Sequence, residues 1–319
     1  MTAPTLTTTT TKEPGRTPAP DTGGKPGRGA FTHALRRNLT AHGFLIGAVL
    51  CFAFFSWYPM VREFVLAFQK TEDGRTTWAG WSNFTTVFND PAIWQAWRNT
   101  LLFTLLALLL GFVVPFVVAI VINEFRQGQG YLRLLVYLPV MLPPVASVLL
   151  FKYLYDPGYG LLNEVFRLLH LPEQQWLQDP DLSLLSVVVA STWMNMGGAA
   201  LIYLAALQGI PGELYEAAEL DGAGLLRKIW HVTIPQTRLI LLLMLLMQII
   251  ATMQVFVEPF LLTGGAGPEG STTTVVYLIY QYAFNFNNYG AAAALGLVLL
   301  VLLAGFSAAY AKFSRTDEE

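Results

Sequence analysis

Six long stretches of this chain contain no Asp, Glu, Lys or Arg, and they constrain the fold more than any other feature. A membrane-spanning helix needs roughly 20 predominantly apolar residues, and a soluble core would account for one such stretch rather than six. The chain is 54% hydrophobic and 13% charged, about half the charged fraction of a typical soluble domain. The sequence therefore predicts an all-α integral membrane protein with six transmembrane helices, in the stretches 43–61, 100–123, 134–151, 182–212, 239–257 and 270–311.

Only the second half of the last stretch, from about Tyr289, is apolar enough to span. The distribution of Lys and Arg predicts the orientation, because cytoplasmic loops are enriched in both. Six spans place both termini on one side, and that side carries 13 of the 19 Lys and Arg residues. The termini and the connection between spans four and five, residues 211–235, are therefore expected in the cytoplasm. Three prolines, Pro139, Pro143 and Pro144, predict a bend in the third span.

Composition also divides the chain into segments. Residues 1–40 are rich in Thr, Pro and Gly and bury too little apolar surface to fold, so they are predicted to be a disordered cytoplasmic tail. Residues 41–94 hold the first span and the first extracytoplasmic loop. Residues 95–312 form the transmembrane core, and residues 313–319 a cytoplasmic C-tail.

Few residues of this chain suggest catalysis or metal binding. Cys51 is the single cysteine, and the four histidines lack metal-ligand spacing. We find no nucleophile beside a general base, and the net charge of −2 gives no sign of a nucleic-acid partner. The sequence predicts no enzyme activity, no catalytic residue, no metal and no cofactor bound by this chain.

The polar block 211–235 lies between two apolar runs and is much longer than a simple reversal requires. Pro211 suits the first turn of a helix. Three glutamates at three-residue spacing, Glu213, Glu216 and Glu219, share one face of that helix. The pair Asp221-Gly222 is typical of a helix end. A second short helix with an apolar side should follow and end at Pro235. The block suits either a surface hairpin in solvent or an element held by a partner.

The stretch Leu214–Ala223, with Glu216-Ala217-Ala218, three residues and Gly222, resembles the EAA loop of binding-protein-dependent ABC importer permeases. Ile234-Pro235 stands where that family has Leu-Pro. The resemblance covers about residues 80–312 and is closest to the sugar-type permeases, specifically the first of two paralogous subunits (maltose F-like, glycerol-phosphate A-like). Further matching pieces are Leu207–Pro211, Asn83-Phe84, Trp97–Thr100, Leu138-Pro139, Phe151-Lys152, Gly160–Asn163, Leu262–Pro268, Tyr280 and Ala283-Phe284.

The resemblance implies a type I ABC importer permease fold, with a cytoplasmic coupling (EAA) helix between spans four and five that docks on an ATPase. This chain has no Walker motif, so ATP is expected to be hydrolysed by a separate ATPase subunit, present in two copies. The other implied partners are a second paralogous permease, membrane lipid, a sugar substrate and an extracytoplasmic solute-binding protein that reaches the loops at about 69–98, 156–181 and 263–288. The implied location is the cytoplasmic membrane of a bacterium or archaeon.

Within the EAA loop, the resemblance implies that Glu216 contacts the ATPase and that Gly222 makes the turn between two short helices. The full set of expected coupling residues is Glu213, Glu216, Ala217, Ala218, Asp221 and Gly222.

The substrate pathway is expected to offer hydrogen-bonding groups from the middle of the spans. Carry-over from the maltose-type permease gives Val140, Pro144, Ser191, Met194, Asn195, Gly198, Thr252 and Val255. Polarity inside apolar runs adds Gln254, and also favours Thr192, Trp193 and Gln248, with Gly197-Gly198 providing room. An alternative for Ser191 and Thr252 is a local bond to a helix carbonyl.

Glu258 is costly in mid-membrane, so we expect it at the outer interface with a gating or structural role. Several Asn and Tyr positions of the maltose-type permease are Ser, Gly, Thr or Val here, which argues against maltose. Mono-, di- and oligosaccharides stay possible, as do polyols and glycerol phosphate; the lack of a cationic cluster favours neutral sugars. A stand-alone secondary carrier is the alternative from another class, although it would have no need of the polar block.

Overall fold

A computed structural model describes residue 43 and residues 45–72, 75–125 and 127–316. The chain forms two compact units, residues 1–60 and 61–319. The predicted tail 1–40 lies outside the described residues.

The described residues form twelve helices and one hairpin. The helices are α1 (Leu45–Leu66), α2 (Ser82–Asn89), α3 (Pro91–Glu124), α4 (Gln129–Met141), α5 (Pro144–Leu154), α6 (Leu161–Leu168), α7 (Pro180–Gln208), α8 (Gly212–Leu220), α9 (Leu225–Met253), α10 (Val257–Thr263), α11 (Val275–Tyr280) and α12 (Tyr289–Thr316). The hairpin pairs β1 (Gln69–Glu72) with β2 (Arg75–Trp78) in antiparallel register, Gln69 opposite Trp78.

Five helices are long and apolar enough to cross a membrane: α1, α3, α7, α9 and α12. The sixth predicted span is the pair α4 and α5, bent by 97° at a short break. The predicted bend at the prolines is therefore confirmed, with Pro143 just before α5 and Pro144 as its first residue. The last span begins at Tyr289, as predicted, and its helix runs on to Thr316, so the first residues of the expected C-tail are helical.

Two spans begin with the same short signal, an aspartate followed by proline. The Asp90 side chain accepts a hydrogen bond from the Ala92 backbone N–H at 2.9 Å, and Asp179 accepts one from Asp181 at 2.8 Å. Each carboxylate caps a free N–H of the first turn, while proline at the first helical position needs no hydrogen-bond acceptor. These caps fix where α3 and α7 start.

The prediction that a helix ends at Pro235 is wrong. Helix α9 continues from Leu225 through this proline to Met253. Proline lacks a backbone N–H and its ring clashes with the carbonyl four residues earlier. A π-helical turn over Ile229–Thr233 directly precedes the proline, with the Ile234 N–H donating to the Ile229 carbonyl. The widened turn accommodates the proline without breaking the helix.

Helices α3 and α7 lie at the centre of the packing. Phe103 and Ala107 of α3 pack with Val187 and Val188 of α7 in one buried cluster. Further along both helices, the buried Tyr203 belongs to a second cluster with residues of α3. Large apolar side chains on the outer faces stay exposed, as expected of surfaces that meet lipid.

The loop between α5 and α7 is held by the buried Asn163. Its amide nitrogen donates to the carbonyls of Pro157 and Gln174 at 3.1 and 2.9 Å. Its oxygen accepts from the Gln174 backbone N–H and the Trp176 indole at 3.1 and 3.0 Å. One side chain thus satisfies backbone groups on two sides of the loop.

Gly197 marks a close approach of two spans. A Cβ atom at this position would lie 2.5 Å from the Val136 carbonyl oxygen and 3.0 Å from the Tyr137 Cα, both in α4. At the adjacent Gly198 nothing lies within 4 Å. The expectation that both glycines provide room for a solute is therefore wrong for Gly197, because the backbone of α4 fills that space.

This difference predicts opposite effects of one methyl group. Gly197→Ala should destabilise the protein by about 1–3 kcal/mol through overpacking. Gly198→Ala should be neutral or stabilise by up to about 1 kcal/mol, because alanine favours the helix. The measurement is the fraction of monodisperse protein after heating, by size-exclusion chromatography in detergent. Equal midpoints for the two variants would contradict the close approach.

Candidate functional site

The EAA segment, residues 211–235, folds as two helices joined by a glycine turn. Pro211 precedes α8 as its N-cap, one position earlier than predicted. Gly222 takes a φ of +74°. Its N–H donates to the Glu219 carbonyl at 3.0 Å, and the Ala223 N–H donates to the Ala218 carbonyl at 2.9 Å. This pair of bonds is a Schellman motif, whose left-handed position favours glycine.

Two side-chain contacts join the two helices of the segment. Lys228 Nζ lies 2.8 Å from Glu219 Oε1. The Tyr215 hydroxyl lies 3.1 Å from the Thr233 hydroxyl. The Lys228 ammonium donates a hydrogen bond that holds the pKa of the Glu219 carboxyl below its usual value. Glu219 therefore differs from the other two glutamates of α8 in having a partner inside the segment.

Most of the predicted coupling residues lie on the surface. Glu213, Glu216, Ala217, Asp221 and Gly222 are exposed, and Ala218 is half-buried. Three large apolar side chains beside them are also exposed: Leu220 by 90%, Leu226 by 76% and Trp230 by 68%. A polar connection that carries such side chains in contact with water is typical of a protein interaction surface.

A cavity of about 300 Å³ lies among helices α3, α7, α9 and α10. Aliphatic, hydroxyl, amide and two aromatic side chains form its wall. The lining residues are Phe103, Ala107, Gly111, Ser191, Thr192, Asn195, Met196, Ala199, Gln248, Ala251, Thr252, Gln254, Val255, Phe256, Val257 and Glu258.

Five predicted pathway residues meet in this cavity: Ser191, Asn195, Thr252, Gln254 and Val255. Glu258, expected to have a gating or structural role, also lines it. Four do not line it: Val140, Pro144, Met194 and Gly198. Met194 is buried in the core cluster between α3, α5 and α7, while Val140 lies where α4 crosses Gly197. The positions carried over from the bent third span therefore lie away from the cavity.

Glu258 is the only ionisable residue in the cavity wall. Its Oε1 accepts hydrogen bonds from the Ser191 hydroxyl and the Asn195 amide, both at 3.1 Å. Both donors lie in the middle of α7, which runs from Pro180 to Gln208. These contacts place Glu258 level with the middle of α7 rather than at its first turn, which argues against the expected position at the outer interface.

Three further polar side chains of the wall bond to backbone carbonyls of α9 or α3. Thr252 donates to the Gln248 carbonyl at 2.8 Å, which is the local alternative considered for it. Gln254 donates to the Ile250 carbonyl at 3.1 Å. The Gln248 amide reaches across to the Ala107 carbonyl at 3.4 Å.

The sequence reasoning missed the contribution of α3. Phe103, Ala107 and Gly111 are not polar themselves and lie in an uncharged run, so the search for polar side chains did not select them. The one signal in the sequence was a glycine, Gly111, inside this span. In the structure, a Cβ atom at Gly111 would lie 2.7 Å from the Gln248 amide nitrogen. Gly111 lies in a π-helical turn, Leu108–Phe112, a deviation that is frequent at functional sites.

Residues 111–316 match the family described as binding-protein-dependent transport system inner membrane component. The chain belongs to this family. It is 31% identical to a sulfoquinovosyl glycerol transport system permease of Agrobacterium fabrum, over 82% of this chain and 85% of that protein. It is 31% identical to the trehalose/maltose transport system permease of Thermococcus litoralis, over 74% and 79% of the two chains.

Among solved structures, it resembles a bacterial ABC transporter involved in the import of the acidic polysaccharide alginate, with a TM-score of 0.76, 25% identity, and 88% and 98% of the two chains covered. The family and the type I ABC importer permease fold inferred from the EAA loop are therefore confirmed. The chain is a multi-pass membrane protein of a transport family. A stand-alone secondary carrier is not favoured.

The pairing inside the EAA segment predicts a dependence on pH. Because the Glu219 pKa is depressed in the folded protein, the pair stabilises the segment above the ordinary carboxyl pKa of about 4.3 and ceases to do so as pH falls through the depressed value. The protection of the amides of residues 212–224, measured as exchange rates divided by the intrinsic rate at each pH, should therefore fall on acidification. The change should be small, at most about fivefold, because the pair is exposed.

Glu219→Gln should show the faster exchange already at neutral pH and lose the pH dependence attributable to this pair. Glu213→Gln is the matched control on the same helix, since Glu213 forms no ion pair within the described residues. Identical exchange in the two variants would show that the Glu219–Lys228 contact does not hold the segment.

Proposed function

We propose that this chain is the transmembrane permease subunit of an ATP-driven, binding-protein-dependent sugar importer. It forms half of the translocation pathway with a second paralogous permease. Two copies of a separate ATPase bind on the cytoplasmic side, and an extracytoplasmic solute-binding protein delivers the substrate. Both termini and the EAA segment lie in the cytoplasm of a bacterium or archaeon, in agreement with the excess of Lys and Arg on that side.

The observation that carries the proposal is the continuity of α9. The helix begins at Leu225, inside the exposed EAA segment, and ends at Met253, beside the cavity. With a rise of about 1.5 Å per residue, its 29 residues measure about 43 Å. A displacement imposed at the exposed Trp230 therefore moves the Gln248 and Thr252 side chains of the cavity wall as parts of one rigid element.

The sugar class rests on the cavity wall and on the relatives. Hydroxyl and amide groups of Ser191, Asn195 and Gln254 can bond sugar hydroxyls, and Phe256 offers apolar ring surface. The permeases of Agrobacterium fabrum and Thermococcus litoralis carry names that include sugar substrates. These features support a mono-, di- or oligosaccharide as the solute.

The glycine turn gives a direct test of coupling. Gly222→Val should lower ATP-dependent uptake by at least about tenfold, because a β-branched residue cannot adopt a φ of +74° without strain. Gly222→Asn should retain most of the uptake, since asparagine tolerates the left-handed region. Uptake is measured in proteoliposomes that contain both permeases and the ATPase, with the binding protein outside.

Gly224→Ala is the matched control, because Gly224 has a φ of −71° and nothing lies within 4 Å of a Cβ there. This variant should transport like the wild type. Equal uptake by Gly222→Val and Gly224→Ala would contradict a coupling role for the turn.

The class of transporter is tested by composition and energy source. A tagged copy of this chain should co-purify with a second permease and an ATPase when the three proteins are co-expressed. Sugar uptake should require both ATP and the binding protein. Uptake that persists without ATP would instead indicate a stand-alone carrier.

A further inference from the structure

The orientation of Glu258 leaves half of its carboxylate available to the cavity. The Ser191 hydroxyl and the Asn195 amide both donate to Oε1, and Asn195 donates in addition to the Ser191 carbonyl at 2.9 Å. Oε2 accepts no hydrogen bond from the residues that the structure describes. The two donors, one helical turn apart on α7, thus hold the carboxylate while its second oxygen can accept a hydrogen bond from a bound molecule.

The surroundings of this carboxylate strengthen its electrostatic effect. The cavity wall contains no Lys, Arg or His, and most of its other side chains are aliphatic or aromatic. The neighbouring amides and hydroxyls compensate the charge only partly, because they are dipoles. In such a setting a like charge within about 4–5 Å is strongly repelled, whereas in bulk water the repulsion would be weak.

On the basis of the proposed function, we infer that Glu258 is a specificity-determining residue of the sugar pathway. Its free oxygen accepts a hydrogen bond from a hydroxyl group of a neutral sugar. Its charge rejects solutes that carry a carboxylate, phosphate or sulfonate group. The substrate class of this importer is therefore the neutral sugars.

Family membership does not supply this selectivity. The similar proteins include a permease named for sulfoquinovosyl glycerol and a transporter for the acidic polysaccharide alginate. A fold that serves such different solutes sets their selection by individual side chains of the cavity. In this chain, Glu258 is the only charged side chain among the described residues of the cavity wall.

A purely structural role for Glu258 makes different predictions. Its bonds to Ser191 and Asn195 link α10 to α7, so removing the charge would alter stability. A structural link would affect neutral and anionic sugars equally. The ratio of the two affinities separates the roles, because stability does not enter that ratio.

The experiment measures direct sugar binding to the purified complex of both permeases and the ATPase, without the binding protein, by saturation-transfer NMR. Two matched pairs serve as probes: glucose with glucuronate, and maltose with the derivative whose terminal CH₂OH group is oxidised to a carboxylate. The wild type should bind the neutral member of a pair about 10- to 100-fold more tightly. Glu258→Gln should bring this ratio close to one, because the amide oxygen still accepts a hydrogen bond without the charge. Glu258→Lys should invert it.

Glu63→Gln is the control, since it removes a carboxylate outside the cavity and should keep the wild-type ratio. Size-exclusion profiles and basal ATPase activity establish that each variant assembles. A wild-type ratio near one, or an unchanged ratio in Glu258→Gln, overturns the role of Glu258 while leaving the sugar importer intact. A wild-type complex that binds neither member of either pair, and takes up no sugar with ATP and binding protein, instead overturns the proposed function.

Discussion

Pro235 would break an ordinary helix, but α9 continues through it. The proposed coupling between the EAA segment and the cavity depends on this continuity. The π-helical turn at Ile229–Thr233 widens the backbone immediately before the proline, and α9 continues from the exposed EAA segment to the cavity. A flexible joint at this point would absorb motion between Trp230 and Thr252. An unbroken helix instead joins the exposed segment and the cavity wall in one element, as the proposed coupling requires.

Local contacts hold the two helices of the EAA segment together. Its glycine turn satisfies the last carbonyls of α8, while the Glu219–Lys228 and Tyr215–Thr233 contacts join α8 to the start of α9. Each contact is individually weak because it lies near water. Together they orient α8 relative to the start of α9, so that in the proposed mechanism a force on the exposed Leu220 would reach the long helix. Glu213 and Glu216 stay exposed, and are therefore available to a partner.

The sequence was informative wherever a local pattern determines a local structure. The uncharged runs predicted the spans, Asp221-Gly222 predicted the turn, and the prolines predicted the bend between α4 and α5. It failed where the outcome depends on a neighbour. Whether Pro235 ends a helix depends on the turn before it, whether Gly197 is open depends on α4, and whether a carboxylate is tolerated at position 258 depends on Ser191 and Asn195 of another helix. Phe103 and Gly111 gave no polar signal, because they contribute only shape.

The geometry of α7 explains why some pathway positions expected from the maltose-type permease line the cavity and others do not. One of its faces meets the backbone of α4 at Gly197, and another presents Ser191 and Asn195 to the cavity. Because successive residues of a helix point in different directions, Met194 is buried in the core although its neighbour Asn195 lines the cavity. Ser191 and Asn195 are both bound to Glu258, so in this chain they hold the carboxylate first. The chemistry offered to a solute is then set by that carboxylate as much as by the hydroxyl and amide that fix it.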